Sequence, residues 1–251
     1  MPRFFVSPEQ IKSGRVTITG PDVLHIVKVL RLGTGDNLTV LDGRGKVYEA
    51  VVEQTGREAV ICAVISESDA GDAPAVRITL VQGLPKGDKM DLIVQKATEL
   101  GVWRLIPLVC ERSVVKLIGD KPQRRLERWQ RIALEAAKQC RRPDIPEVLP
   151  PFEWEEVLTG MPDGTVALIP WEEENLEPLK KALRESEPKG DVYVFIGPEG
   201  GFASAEVELA RSHGIRPVTL GPRILRTETA GLAVLAMILY QFGDLGGKLN
   251  G

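Results

Sequence analysis

Arg223, Arg226, Thr227, Glu228 and Thr229 fall within seven residues, directly before an uncharged run from Ala230 to Phe242. The run reads as a buried helix, so these groups sit at its start. Thr227 can cap that helix, and Glu228 suits the positive end of its dipole. Neither role accounts for two arginines, which the same dipole disfavours. Arginines placed there call for an anion or a carboxylate close by. A second stretch, Gly197-Pro198-Glu199-Gly200-Gly201, follows an apolar strand and precedes a helix start at Ser204. Such a loop lets backbone N–H groups approach a ligand, or it forms a tight strand-to-helix turn. It is not a P-loop, since no Lys-Ser/Thr follows, and it is not the GxGxxG dinucleotide fingerprint. A third stretch, Ile169-Pro170-Trp171, also ends a strand.

Elements that could hold these three stretches together are legible from residue 76 onward. Strands are predicted at 76–85, 103–111, 165–171, 191–197 and 216–221. Helices are predicted at 89–101, 121–142, 154–160, 176–187, 204–214 and 227–243, the first stopping at Gly101 and the second opening at Pro122. Strands alternating with helices predict a parallel sheet covered on both faces. In such a sheet ligands bind beyond the carboxyl ends of the strands, where the three stretches lie.

Ahead of this half, five short β-branched runs are bounded by Gly, Asp or Asn turns, namely PRFFV, RVTITG, NLTVLDG, KVYEAVVEQ and EAVICAVIS. DGRG at 42–45 is a hairpin turn candidate. Between the second and third runs, Val23, Ile26, Val27 and Leu30 recur at helical spacing after Pro21. A compact barrel with one helix is expected over 1–70. SDAGDAPA, 68–75, is a linker, and an α/β domain is expected over 76–251.

The net charge of −3 hides a segregation. Residues 76–142 hold 15 Lys/Arg against 7 Asp/Glu, and residues 143–251 hold 9 against 18. A basic middle is a cue for a polyanionic partner. The helix at 121–142 carries Arg124, Arg125, Arg128, Arg131, Lys138, Arg141 and Arg142, which makes phosphate contact a candidate role beside that of a solvated face. His25 reads as a helix-surface residue that could also contact RNA. Cys62, Cys110 and Cys140 form no CxxC and, with His25 and His213, no metal-ligand spacing, so a reducing cytoplasm without zinc is expected. No apolar run is long enough for a membrane span or resembles a signal peptide.

KGDKMDLIVQKATELGV (86–102), EAAKQCRR (135–142), FIGPEGGF (195–202) and LGPRILRTETAGLAVL (220–235) together closely resemble the ribosomal RNA small subunit methyltransferase E family, of the SPOUT superfamily. RFFV, HIVKVLRLGTGD (25–36) and LDGRGKVYEA (41–50) match as well, so the likeness covers essentially the whole chain. At one position it departs: many members carry Gly or another small or polar residue where Arg141 stands.

The resemblance implies an N-terminal PUA-like RNA-binding β-barrel joined to a C-terminal SPOUT α/β domain with a parallel sheet and a deep trefoil knot, a known exception to the rule against knotted chains. It implies S-adenosylmethionine held bent in the knot by the three strand-end loops. Those loops supply Ile169, Pro170, Ile196, Gly197, Pro198, Glu199, Gly200, Gly201, Leu220, Gly221, Arg223, Ile224, Leu225, Arg226, Glu228, Thr229 and Ala230. It implies methylation of N3 of a uridine near the 3′ end of 16S ribosomal RNA, in the decoding region, without a metal, and a cytoplasmic homodimer that uses the last helix. Arg226, or secondarily Arg142, would stabilise the uracil anion. Glu199 or Glu228 would accept its proton or serve as structural acceptors. Arg3, His25, Arg31, Arg124, Arg128, Lys138, Arg141 and Arg142 would contact the RNA, with the assembled small subunit as the better substrate. The competing readings are a SPOUT enzyme acting on transfer RNA and a non-catalytic RNA-binding assembly factor.

Overall fold

The computed structural model describes residues 1–69, 74–113, 121–173, 177–188 and 190–247. Four residues of the expected 68–75 linker, 70–73, lie outside that set, as does the start of the helix expected at 176. The chain forms two compact units. One is Met1–Ala73 with Ala137–Ile145, and the other is Pro74–Ala136 with Pro146–Gly251.

In the first unit, β1 (Arg3–Phe5), β2 (Ile11–Lys12), β3 (Arg15–Thr19), β4 (Asn37–Leu41), β5 (Lys46–Thr55) and β6 (Ala59–Asp69) make one sheet in the order β1-β4-β5-β6-β3-β2. Pairing is antiparallel except between β1 and β4. Alternate residues face the core, as the two-residue period of a strand requires: Val16 and Ile18 on β3, Tyr48, Ala50 and Val52 on β5, Val60 and Cys62 on β6. Register shifts at Glu49/Ala50 and Val52/Gln54 bend the long β5–β6 ribbon. The DGRG turn forms as expected, with Asp42 Oδ1 accepting from the amides of Arg44 at 2.7 Å and Lys46 at 3.0 Å.

The predicted helix after Gly20 is shorter and looser than its spacing promised. One α-helical turn, α1 (Pro21–Leu24), passes into a π-helical turn over His25–Val29, in which the Leu30 amide bonds to His25 O at 2.9 Å. The wider turn advances later residues off the buried face. Val23 and Ile26 are therefore buried, whereas Leu30 is exposed.

The segment Ala137–Ile145 belongs to this unit. Lys138 Nζ lies 3.5 Å from Asp22, Arg142 pairs with Asp144 at 2.5 Å, and the Ile145 amide bonds to Gly43 O at 3.1 Å. It begins in the last turn of α3 (Lys121–Cys140). That helix ends in a Schellman closure, with the Arg142 amide on Ala137 O at 3.0 Å. Arg141 occupies the left-handed position of the closure, with φ of 63°. A glycine there would avoid the clash between Cβ and backbone that this conformation imposes.

The second unit holds β7 (Arg77–Gly83), β8 (Arg104–Leu108), β9 (Glu147–Val148), β10 (Val166–Pro170), β11 (Asp191–Ile196) and β12 (Arg216–Val218). The sheet order is β12-β10-β11-β7-β8-β9 and every pair is parallel. The two-residue β9 was not expected. It is too short to show a period and is fixed by Arg104 and Leu105 of β8.

Helices cover both faces. On one, Trp154 and Val157 of α4 (Trp154–Gly160) and Val207 and Ala210 of α6 (Ser204–Ser212) pack with Phe195, Ile106 and Ile169. Trp154 stacks on Phe195 with ring centres 5.5 Å apart. Beside them the buried Glu206 accepts from Glu111 N at 3.0 Å, Trp154 Nε1 at 2.9 Å and Ala203 N at 2.8 Å. α2 (Lys89–Leu100) and α7 (Thr227–Phe242) pack against each other, and α7 lies on β7 and β11. α2 stops at Gly101, whose φ is 111°. α5 (Leu179–Glu185) completes the set, starting later than the expected 176. The three cysteines are free thiols: Cys62 and Cys110 are buried and Cys140 is half-buried.

Arg141→Gly relieves the left-handed strain, so the variant is expected to gain about 1 kcal/mol of stability, a rise read in denaturant midpoint with unchanged slope.

Candidate active site

Because β12, β10, β11 and β7 are neighbours and parallel, their carboxyl ends lie side by side. The loops that leave them converge on a cavity of about 630 Å³. That volume suits a ligand of nucleoside size.

Close backbone approach builds its floor. A Cβ on Gly83, at the end of β7, would stand 2.6 Å from Pro198 Cδ and 2.7 Å from Pro198 N. One on Gly197 would meet Gly201 C at 3.0 Å. Only glycine at these two points lets the Gly197–Gly201 loop fold over the strand ends. Gly201 itself has φ of 67° and closes the turn through its amide to Pro198 O at 3.0 Å.

Thr227 then fastens that loop to α7. Its hydroxyl donates to Gly197 O at 2.6 Å and accepts from Gln82 Nε2 at 2.9 Å. Gln82 is fully buried and also donates to Gly83 O at 3.0 Å, while its Oε1 has no partner. Thr227 is therefore not the cap its position suggested: Arg226 is the N-cap residue, no side chain caps the helix, and the Arg226 carbonyl receives the amides of Thr229 and Ala230 at 2.8 Å each.

A second fastening is ionic. Lys89, the first residue of α2, places Nζ 2.9 Å from Glu199 Oε1 and 3.2 Å from Glu228 Oε2. The contact to Glu228 Oε2 lacks hydrogen-bond alignment, so it acts as a charge contact. The Lys86 amide adds bonds to Glu199 at 3.1 and 3.2 Å. Burial pushes the Glu199 carboxyl upward, but Lys89 and the amides of Glu199 and Lys86 outweigh it and hold it below the ordinary 4.5. Glu228 is also held low, first by its own backbone amide, against burial, and then by Lys89. Lys89 is held above its ordinary 10.5 by its contacts with the carboxylates of Glu199 and Glu228.

The cavity wall includes Pro170, Ile196, Gly197, Pro198, Glu199, Gly201, Leu220, Gly221, Arg223, Ile224, Leu225, Arg226 and Ala230, all singled out from the sequence. Four expected residues are not on it. Ile169 is fully buried in the core beneath. The Gly200 carbonyl accepts from Arg112 at 3.1 Å, Glu228 pairs behind the wall with Lys89, and Thr229 is exposed on α7. Lys89, Trp171, Glu172, Phe202, Thr219, Pro222 and Thr227 line it as well. Trp171 and Pro222 belong to strand-end stretches already picked out in the sequence, and Glu172 and Thr219 could have been found as their neighbours. Lys89 and Gln82 carried no such local signal.

Among the described residues, Leu220 and the stretch Pro222–Leu225 make no backbone hydrogen bond within the chain. The N–H groups of Leu220 and of Arg223 to Leu225, and the C=O groups of the whole stretch, are therefore available to a ligand beside the apolar side chains of Ile196, Leu220 and Leu225. Arg226 stands at the cavity mouth, 83% exposed, with Glu228 the nearest carboxylate at 4.0 Å.

The other expected positions lie elsewhere. Arg3, His25, Arg31 and Arg141 are exposed on the first unit, where Lys138 and Arg142 are held by Asp22 and Asp144. His25 meets Phe4 edge-on, with ring centres 6.1 Å apart. On the second unit Arg124 is exposed, and Arg128 pairs with Asp91.

Residues 72–239 match the RNA methyltransferase domain family and residues 18–65 the RNA methyltransferase PUA domain family. The ribosomal RNA small subunit methyltransferase E of Bacillus subtilis is 37% identical over 249 residues, covering 96% of this chain and 97% of the relative. The chain belongs to the ribosomal RNA small subunit methyltransferase E family. A family member from Neisseria gonorrhoeae, solved bound to S-adenosyl methionine, superposes with a TM-score of 0.82 at 34% identity, covering 97% of this chain and 99% of that one. A methyltransferase from Legionella pneumophila with the same bound cofactor gives 0.77 at 30% identity, covering 97% and 98%. The fold expected for this family, a parallel-sheet α/β domain preceded by a small PUA-like β unit, is the one observed.

Gly83→Ala forces Pro198 to shift and is expected to cost about 1–3 kcal/mol, read as a lowered melting temperature. The ionic fastening predicts a pH window. Depressed carboxylates contribute stability above pH 4.5 that is lost as pH falls through their lower folded values. The raised lysine contributes below pH 10.5 and loses it above. Melting temperature against pH should fall on the acid side, and fall less steeply in Glu228→Gln.

Proposed function

We propose that this chain binds S-adenosylmethionine in the cavity at the strand ends and methylates N3 of one uridine in the decoding region near the 3′ end of 16S ribosomal RNA, on the assembled small subunit. The observation that carries this is the cavity itself: three strand-end loops, pinned by Thr227 and Lys89, on a chain of this family. The cofactor fits the donor set, because adenine and ribose need backbone N–H and C=O groups between apolar walls. Leu220, Ile224 and Leu225 offer the backbone groups, and Ile196 and Pro170 the walls. Once bound, the cofactor supplies a methyl sulfonium, an already activated electrophile.

Uracil N3 carries a proton and is a weak acid, loosely comparable to a phenol of pKa about 10, so ionising it at pH 7 costs about 4 kcal/mol unaided. Arg226 is our candidate for stabilising the resulting anion, since its guanidinium is exposed at the cavity mouth. Arg142 is weaker in this role because Asp144 already holds it on the first unit. Glu199 and Glu228 are ionised and engaged with Lys89, which favours their structural role over proton acceptance. The exposed Arg3, His25, Arg31, Arg124, Arg128 and Arg141, with Lys138, are proposed to track the RNA backbone.

The trefoil knot and a cytoplasmic homodimer are part of the same proposal. For the dimer, α7 offers one apolar face on which Leu232, Ala233 and Ala236 are half-buried and Met237 and Tyr240 exposed, a face that a second copy would cover.

The test is methyl transfer from labelled S-adenosylmethionine to small subunits from cells lacking this protein, with the product mapped by mass spectrometry. One N3-methyluridine in 16S RNA is expected, and Arg226→Ala should lower kcat about 100-fold while cofactor affinity holds. Label on transfer RNA would overturn the substrate. Cofactor binding without transfer to either RNA would favour a non-catalytic assembly factor.

A further inference from the structure

Lys89 has no evident reason to stand where it does. It is the first residue of α2, where the helix dipole disfavours a cation. It lies about 110 residues in sequence from Glu199, and further from Glu228, yet it contacts both. Those two carboxylates come from separate walls of the cavity, one from the Gly197–Gly201 loop and one from the first turn of α7. Without a cation between them they would repel across a half-buried gap. From the geometry we infer that Lys89 is a positioning residue, which locks the Gly197–Gly201 loop against the start of α7 and so presets the cofactor cavity before the ligand arrives. The inference rests on the proposed cofactor for its functional consequence, and on the free protein alone for the lock.

Thr227 already joins the same two walls by hydrogen bonds at the buried end, through Gly197 O and Gln82. Lys89 joins them at the solvent side, where its side chain is 33% exposed and lines the cavity. One neutral and one ionic fastening fix the angle between loop and helix as a single fastening would not. A wall held in its bound shape spares a ligand the cost of ordering it.

Substitution of the cation has a signature that loss of general stability does not share. In Lys89→Met the carboxylates of Glu199 and Glu228 face each other unneutralised. The other groups around them are the Lys86 amide, Arg226 4.0 Å from Glu228, and Glu172 and Arg223 on the same cavity. One of the pair should then take up a proton at a pH well above its ordinary value.

The lock is tested first without ligand, by amide hydrogen exchange on the full chain. Lys89→Met is expected to speed exchange at Gly201, Thr229 and Ala230 while the Leu80 and Phe195 amides of the sheet stay protected. Equal exchange in variant and unaltered chain would overturn the proposal. Calorimetric titration with S-adenosylmethionine then reads the consequence: about tenfold weaker binding at pH 8, partly recovered at pH 6, and near normal in Lys89→Arg. Adding Glu228→Gln to Lys89→Met should remove the pH dependence. Binding by Lys89→Met that equals the unaltered chain at both pH values would sink the idea. Faster loop exchange in the variant, with no binding by the unaltered chain, would keep the lock and reject the cofactor. Should Lys89→Met not fold, Lys89→Gln and Glu199→Gln carry the same exchange and titration tests.

Discussion

The hydroxyl of Thr227 is the contact on which the catalytic half depends. It donates to the carbonyl of Gly197 and accepts from the buried amide of Gln82. Through it the end of β7, the loop after β11 and the first turn of α7 become one object. Such a junction is possible only because Gly83 has no side chain to keep Pro198 away. Parallel strands supply the rest: they put every carboxyl end on one edge, so loops far apart in sequence converge without further instruction. The cavity is thus a property of the sheet topology, and its fine shape a property of a few polar contacts.

Those contacts explain what was legible in the sequence and what was not. Strands β3 to β8 and helices α4 and α7 carry their own periodicity and turn residues, so local pattern was enough. The strand-end loops were legible because glycine and proline punctuate them. Gln82 and Lys89 were not. Gln82 reaches a partner 145 residues away, and in sequence it is one polar residue in an apolar strand. Lys89 is one lysine among many, at the start of an amphipathic helix. The π-helical turn over His25–Val29 was invisible for a different reason. Apolar spacing reports a face only if the winding is known, and one widened turn moved Leu30 out of register.

Charge tells a similar story. The basic excess of the chain's middle was read from composition, but folding divides it. Arg128, Lys138 and Arg142 meet Asp91, Asp22 and Asp144. Arg124 and Arg141 remain exposed. Composition gives the sum of the charges, and only the fold says which of them still face outward for a polyanion.

The state of the three thiols has a practical reach. Burial raises Cys62 to about 11 and pushes Cys110 higher still, so neither offers a thiolate at neutral pH. Cys140 alone is half-buried, and it closes α3 one residue before the left-handed Arg141. The native chain therefore carries its own attachment point for a maleimide dye or spin label, beside the residues proposed to meet RNA. A spectroscopic reporter at that spot requires no engineered cysteine and no removal of the other two.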